Sequence, residues 1–210
     1  MNASPSRPPF PLAQDGTTLI EVLVTMLILA FGLLGIAAFQ SKAQMGNVES
    51  YQRAQAVLLM EDMSARMIVN ATNAAAYASA DTDPTGGGDP SQAPTAYGTG
   101  DAKPLDCSGE AAGTARDLCE WSKALKGAGE QTAGAAKIGA MIGGRGCIVV
   151  KQAADPTPGV CKPGIYQISV AWQGMHQTRA PKLSCGLGSY GDEQYHRVVS
   201  MRVSIGLPTC

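Results

Sequence analysis

Gly16-Thr17-Thr18-Leu19-Ile20-Glu21-Val22-Leu23-Val24 opens an apolar run that continues to Phe39. Between Leu19 and Phe39 the single charged residue is Glu21, and the next charge is Lys42. A helix rising about 1.5 Å per residue carries this run across roughly 30 Å, the hydrocarbon thickness of a bilayer. The run is longer than the apolar core of a secretory signal, and no Ala-x-Ala-type site closes it. A membrane-spanning helix is therefore expected rather than the core helix of a soluble domain. A carboxylate at the head of such a helix is costly in hydrocarbon and marks a candidate functional residue.

The flanks differ in character. Residues 1–16 are short and polar, and Pro5, Pro8, Pro9 and Pro11 disfavour a helix there. Arg7 and the amino terminus stand against Asp15 on one side, and Lys42 and Arg53 lie on the other, so charge alone does not orient the span. All six cysteines (Cys107, Cys119, Cys147, Cys161, Cys185 and Cys210) follow the apolar run. An even number without a Cys-x-x-Cys pair reads as disulfides formed outside the cytoplasm. Zinc is the alternative, but the paired short spacings of a thiolate site are missing, and no metal ligand set is assigned. His176 and His196 are isolated in sequence and are expected at the surface. The net charge of −1 implies no strong pull towards nucleic acid.

From Gln40 to Ala76 there is no proline. Met45, Val48, Ala56, Leu59, Met60, Met63 and Met67 recur at helical spacing, with Gln44, Glu49, Arg53, Glu61 and Arg66 largely off that stripe. An amphipathic extension over 41–78 is expected, its apolar face packed on a folded head of residues 79–210. The methionines read as flexible core filler rather than a cofactor box. Gly32, Gly35 and Gly46 interrupt the helix. Gly32 and Gly35 suit close helix packing or local melting, or have no specific role.

Residues 81–104, from Asp81-Thr82-Asp83-Pro84 through Pro94, Gly98, Gly100 and Pro104, read as an exposed loop unable to hold a ladder. A short helix follows, with Thr114 and Asp117 at capping-box spacing, Leu118, Trp121 and Leu125 on one face, and Gly127 to end it. Cys147–Val150, Ile165–Trp172 and Arg197–Ile205 read as strands. Tyr166, Ile168, Val170 and Trp172 form one face, Gln167 and Ser169 the other, and Val199, Met201, Val203 and Ile205 the buried face of the last strand. The fold class is α+β: a long N-terminal helix packed on an antiparallel meander. In that meander Cys147 and Cys185 lie at one end of the sheet and Cys161 and Cys210 at the other, while Cys107 and Cys119 are near in sequence. The expected pairs are 107–119, 147–185 and 161–210, out of 15 possible connectivities.

No catalytic constellation is present: there is no Gly-x-Ser-x-Gly elbow, phosphate loop or His-Glu-x-x-His, and no cofactor is implied. Asp192-Glu193 in its Gly-rich loop lacks EF-hand spacing and reads as a solvated turn. Trp121 and Trp172 read as core.

The stretch Gly16 to Val24, continuing through Leu29-Ala30-Phe31-Gly32-Leu33-Leu34-Gly35-Ile36, resembles the signature of type IV pilins, and most closely the PilV-type minor pilins. Gly144-Arg145-Gly146-Cys147-Ile148, Gly164-Ile165-Tyr166, Ala171-Trp172-Gln173-Gly174, Cys185-Gly186, Tyr190-Gly191-Asp192 and Arg197-Val198-Val199 add to the likeness. Residues 71–143 add little.

The resemblance implies a pilin-like fold, a leader of residues 1–16, and an assembly helix over 17–40. It implies a prepilin peptidase that cuts between Gly16 and Thr17 on the cytoplasmic side and methylates the new amino group of Thr17. The missing Cβ of Gly16 suits close approach of an extended backbone to the protease. Thr17, where the family usually has an aromatic residue or Met, and Gln14-Asp15, where a basic residue commonly precedes the glycine, depart from the pattern. Glu21 would meet the N-terminal amine of a neighbouring subunit. The implied partners are other major and minor pilins, the inner-membrane assembly platform and membrane lipid. The implied location is a single-pass inner-membrane protein with a periplasmic head, later part of the pilus at the cell surface, serving twitching motility or adhesion. A minor pseudopilin of type II secretion shares the N-terminal motif. A pilus-borne head that binds a ligand or DNA is a third class, and scattered Lys and Arg speak against the DNA option.

Overall fold

The computed structural model describes residues 16, 18–79, 93–127 and 141–207. Helix α1 spans Leu19–Val69 and is followed by a 3-10 segment, Ala71–Tyr77. The remaining elements are strand β1 (Tyr97–Gly98), helix α2 (Thr114–Leu125) and strands β2 (Arg145–Gln152), β3 (Gly164–Gln173) and β4 (His196–Ile205). A 3-10 turn at Glu193–Tyr195 leads into β4. The chain divides between Met45 and Gly46 into two compact units, the first holding the start of α1 and the second everything from Gly46 onward.

In the first unit, Leu19–Phe39 is helical throughout and its large apolar side chains are exposed on every side. By length and composition this helix is able to cross a membrane.

In the second unit, the sheet is antiparallel with order β1-β2-β3-β4. The pleat puts Gly146, Ile148 and Val150 opposite Val170, Ile168 and Tyr166, and those opposite Val199, Met201 and Val203. Onto this face pack Ala56, Met60, Met63 and Met67 of α1, and Leu118, Trp121 and Leu125 of α2. The fold is α+β: the long N-terminal helix packs on a C-terminal antiparallel sheet.

The α-helix stops at Val69, short of the expected 78. Asn70 leaves helical geometry (φ −104°, ψ 43°), and its side-chain amide donates to the Tyr77 hydroxyl (3.0 Å) and the Thr114 hydroxyl (3.3 Å). An asparagine with such alternatives competes with the helical backbone, and the tighter 3-10 turn follows. The buried helix positions also differ from the expected stripe. Gln52 and Ser64 are buried, whereas Val48 is exposed.

The described part of the expected 81–104 loop carries β1, whose Tyr97 and Gly98 pair with Gly146 and Arg145. The Gly98 and Lys103 amides bond the Asp101 carboxylate at 2.8 and 3.1 Å, which folds this stretch back on itself. Gly98 has φ +104°, and a Cβ there would come 2.5 Å from the Gly144 carbonyl oxygen. Only glycine allows that ladder to form.

Thr114 does not cap α2. Gly113 is the N-cap residue and offers no side-chain bond. Asp117 accepts instead from Arg66 of α1 (3.2 Å) and from the Tyr77 hydroxyl of the 3-10 segment.

Strand β3 is buried on both faces rather than one. Gln167, Ser169 and Ala171 are nearly as inaccessible as the core face. Cys147, Ala171, Cys185 and Tyr190 form a second small cluster, with Val198 packed against it. The Cys147–Cys185 disulfide ties the segment after β3 to β2 (Cα–Cα 5.8 Å), and Cys107–Cys119 ties the approach to α2 to the helix itself (5.8 Å). Cys161 is also disulfide-bonded. The expected 161–210 pair involves Cys210, which lies outside the described residues.

Candidate functional site

Glu21 sits in the first turn of α1. The Thr18 carbonyl accepts from the Glu21 amide (3.0 Å) and the Val22 amide (3.3 Å), and the Thr18 hydroxyl also lies within 3.4 Å of the Glu21 amide. Thr18-Leu19-Ile20-Glu21 thus has capping-box spacing, with Thr18 as N-cap and Glu21 at the third helical position. The carboxylate also lies where the helix dipole favours negative charge. Gly16 is exposed two residues before this cap. Thr17, the expected methylation position, lies outside the described residues.

The helix runs unbroken through Gly32 and Gly35. A Cβ built on either would meet nothing within 4 Å. Among the described residues, neither glycine is required by a contact. Leu19, Leu23, Met26, Leu33 and Phe39 are each more than half exposed. Such a surface, apolar all round, is stable only against lipid or other apolar helices.

Among its described residues the head carries four polar clusters, all in the second unit. In the first, Arg66 faces Glu120 (2.6 Å), Asp62 (3.0 Å) and Asp117 (3.2 Å). Burial works against its charge, but these carboxylates outweigh that and raise the guanidinium pKa further. Burial and the Asp117 carboxylate together raise the Tyr77 phenol. An open groove is lined here by Arg66, Asn70, Thr114 and Asp117, but its polar groups are committed to one another.

In the second cluster, Asp101 accepts from Ser122 (2.7 Å) and Lys126 (2.5 Å), as well as from the two amides of its own loop. Burial opposes ionisation of Asp101, yet the Lys126, Gly98 and Ser122 hydrogen bonds prevail and hold its carboxyl below the ordinary range. Lys126 also donates to the Lys103 carbonyl (2.7 Å).

In the third cluster, Glu49 accepts from the Met175 amide (3.2 Å) and from Arg197 (3.2 Å), and lies 3.3 Å from His176. Glu49 was expected off the packed face. It is instead the residue through which α1 holds the start of the segment after β3.

In the fourth, His196 is 1% exposed, which corrects the expected surface position. Its Nδ1 lies 2.7 Å from Glu193 and its Nε2 lies 2.8 Å from the Cys185 carbonyl oxygen. Its ring packs on Tyr190 at 5.2 Å between centroids. Asp192 and Glu193 organise this turn by accepting the Gln194 (2.9 Å) and Gly188 (2.7 Å) amides.

Comparison with protein-family models, curated proteins and solved structures finds no match.

The functional argument therefore rests on the chain's own residues. Gly16, Glu21, Gly32 and Gly35 all belong to the exposed helical unit, and the cysteines belong to the head. Among the described residues, no group of three or more His, Cys, Asp or Glu side chains is placed to hold a metal ion. Sequence reasoning missed Asp101, Lys126, Glu49 and His196. For Asp101 a signal was available: an Asp two residues before a Lys, beside Gly98 and Gly100, is a turn-forming arrangement. No comparable local signal marks His196.

Proposed function

We propose that this chain is a minor pilin, cut after Gly16 by a prepilin peptidase and inserted into a type IV pilus through its N-terminal helix. The observation that carries this reading is the placement of Glu21. It lies in the capped first turn of a helix exposed and apolar on every side, five residues after an exposed glycine. In lipid, a carboxylate there is relieved by pairing with a cation, and cleavage after Gly16 would supply one as the amine of a neighbouring subunit. Docking in one register is thereby favoured over others.

The head would lie in the periplasm before assembly and on the pilus afterwards, stapled by its disulfides. Other pilins, the inner-membrane assembly platform and lipid are the partners this role requires. The role is structural rather than enzymatic, in motility or adhesion.

Disruption of the gene, with surface pili and secreted proteins measured in the same complemented cells, tests the proposal. Lost or shortened pili with normal secretion are expected. Normal pili with blocked secretion would move the chain to a minor pseudopilin of type II secretion. Normal values for both would overturn an assembly role.

A further inference from the structure

The two edges of the sheet are treated differently. At one, β1 is only two residues long and α2 stands against it. A Cβ on Gly98 would come 2.9 Å from Leu125 Cβ, and the Tyr97 and Trp121 ring centroids lie 6.0 Å apart. Further along, the Ser79 amide donates to the Ile148 carbonyl of β2 (3.1 Å). At the other edge, β4 runs ten residues, His196–Ile205, in one continuous register with β3.

That register decides which backbone groups face outward. Ile142 lies just before β2, and its carbonyl accepts from the Gln173 amide (2.8 Å), so Gln173 faces away from β4. Gln173 and His196 therefore form a pair without backbone hydrogen bonds. Strict alternation then turns the amides and carbonyls of Val198, Ser200, Arg202 and Ser204 out from the sheet. Among the described residues, nothing bonds to these backbone groups. The side chains of Ser200, Arg202 and Ser204 are exposed. A row of this kind is complemented by one chemistry, the backbone of a further extended strand.

We propose that β4 is a docking edge for an extended segment of another protein, whose residues alternate between apolar and polar and set a carboxylate beside Arg202. On the face that carries the helices, Val199 and Met201 pack on the core but remain partly exposed, so apolar side chains of the added strand extend that row. On the other face, Arg202 makes no ion pair among the described residues, and Gln167, its β3 partner, is neutral. Arg197, by contrast, is already bound to Glu49 and the His176 carbonyl.

A second copy of this chain does not meet the requirement. β4 contains two arginines and no Asp or Glu, so pairing β4 on β4 leaves Arg202 unmatched in every register. The charge that guards the edge against self-pairing is the one that selects an acidic strand.

The test uses the full chain in detergent micelles and two soluble peptides that alternate valine with serine. One peptide carries a central glutamate in place of a serine, the other a lysine. Amide hydrogen exchange along β4 is the readout. In the free chain, the Val199, Met201 and Val203 amides, bonded to β3, should exchange slowly, and the Val198, Ser200, Arg202 and Ser204 amides quickly. The glutamate peptide should slow the second set and leave the first unchanged. The lysine peptide should need about a fivefold higher concentration for the same protection, and Arg202→Glu should reverse that preference. Ser200→Pro removes an outward amide and no bond to β3, so it should abolish protection by either peptide while Met201 stays slow. If Met201 becomes fast, that variant has lost the strand, and Arg202→Glu decides alone. Outward amides already slow in the free chain, or slowed by raising its concentration alone, would mean that this chain or its copy fills the edge, and would overturn the proposal. Equal effects of the two peptides, or no effect of either, would overturn it as well.

Discussion

Gly146 of β2 lies directly beneath Trp121 of α2: a Cβ on Gly146 would come 2.3 Å from the indole Cη2 and 2.7 Å from Leu125 Cδ1. Trp121 is fully buried, and its Nε1 donates to the Leu59 carbonyl of α1 at 2.9 Å. One side chain thus joins both helices to the sheet, and a glycine makes the room for it.

Gly146→Ala is therefore expected to destabilise the head through overpacking, by about 1–3 kcal/mol. Chemical denaturation followed by tryptophan fluorescence measures this. Combining it with Trp121→Phe, which removes the clashing edge of the indole, should recover part of the added loss. Simple additivity of the two changes would contradict the contact.

Asp101→Asn removes the charge that Lys126 faces inside a nearly closed site and should cost about 2 kcal/mol at neutral pH. The native carboxyl is held below the ordinary value of about 3.9, so its contribution is fully present above that value and is lost as pH falls through the folded value. The gap between the native chain and Asp101→Asn should accordingly shrink in acid. Denaturation midpoints measured at neutral pH and near pH 3 compare the two; a gap that widens in acid would contradict this.

Replacing both cysteines of a pair by serine separates the two staples. In the loop-entropy account, removal of Cys147–Cys185, which closes a separation of 38 residues, should cost about 4 kcal/mol, and removal of Cys107–Cys119, with a separation of 12, about 3 kcal/mol. The longer staple should matter more, as read from the two unfolding free energies.

Under the proposed minor-pilin role, Glu21→Ala leaves the peptide bond after Gly16 untouched and should permit leader removal while lowering the amount of the chain in sheared filaments several-fold. Gly16→Val should instead leave the leader attached. Intact mass and immunoblots of membrane and filament fractions distinguish the two, and normal incorporation of Glu21→Ala would remove Glu21 from the assembly mechanism.

Much of the fold is local in origin and was legible in the residues. The run from Leu19 to Phe39 reports its helix through length and apolar composition, because those two quantities decide whether a helix tolerates lipid. The alternation in Val199, Met201, Val203 and Ile205 reports β4 because successive side chains on a strand point to opposite faces. The capping spacing of Thr18-Leu19-Ile20-Glu21 went unread in the sequence and emerged only with the Thr18 hydroxyl beside the Glu21 amide. The end of α1 was less legible: nothing near Asn70 reveals that Thr114 and Tyr77 arrive to bond its side chain.

Local pattern thus determined the helix, the strands and the position of Glu21 at the head of the apolar run. Tertiary structure alone decided which polar groups are enclosed. Periodicity describes one face of one element, whereas burial of the second face of β3 depends on where the segment from Cys185 to Tyr195 comes to rest. That segment shuts His196 away from water against Glu193 and Cys185, and the loop around Asp101 comes to rest against Ser122 and Lys126 in the same way. Both enclosures form between residues brought together only by folding, and so no window of sequence contains them.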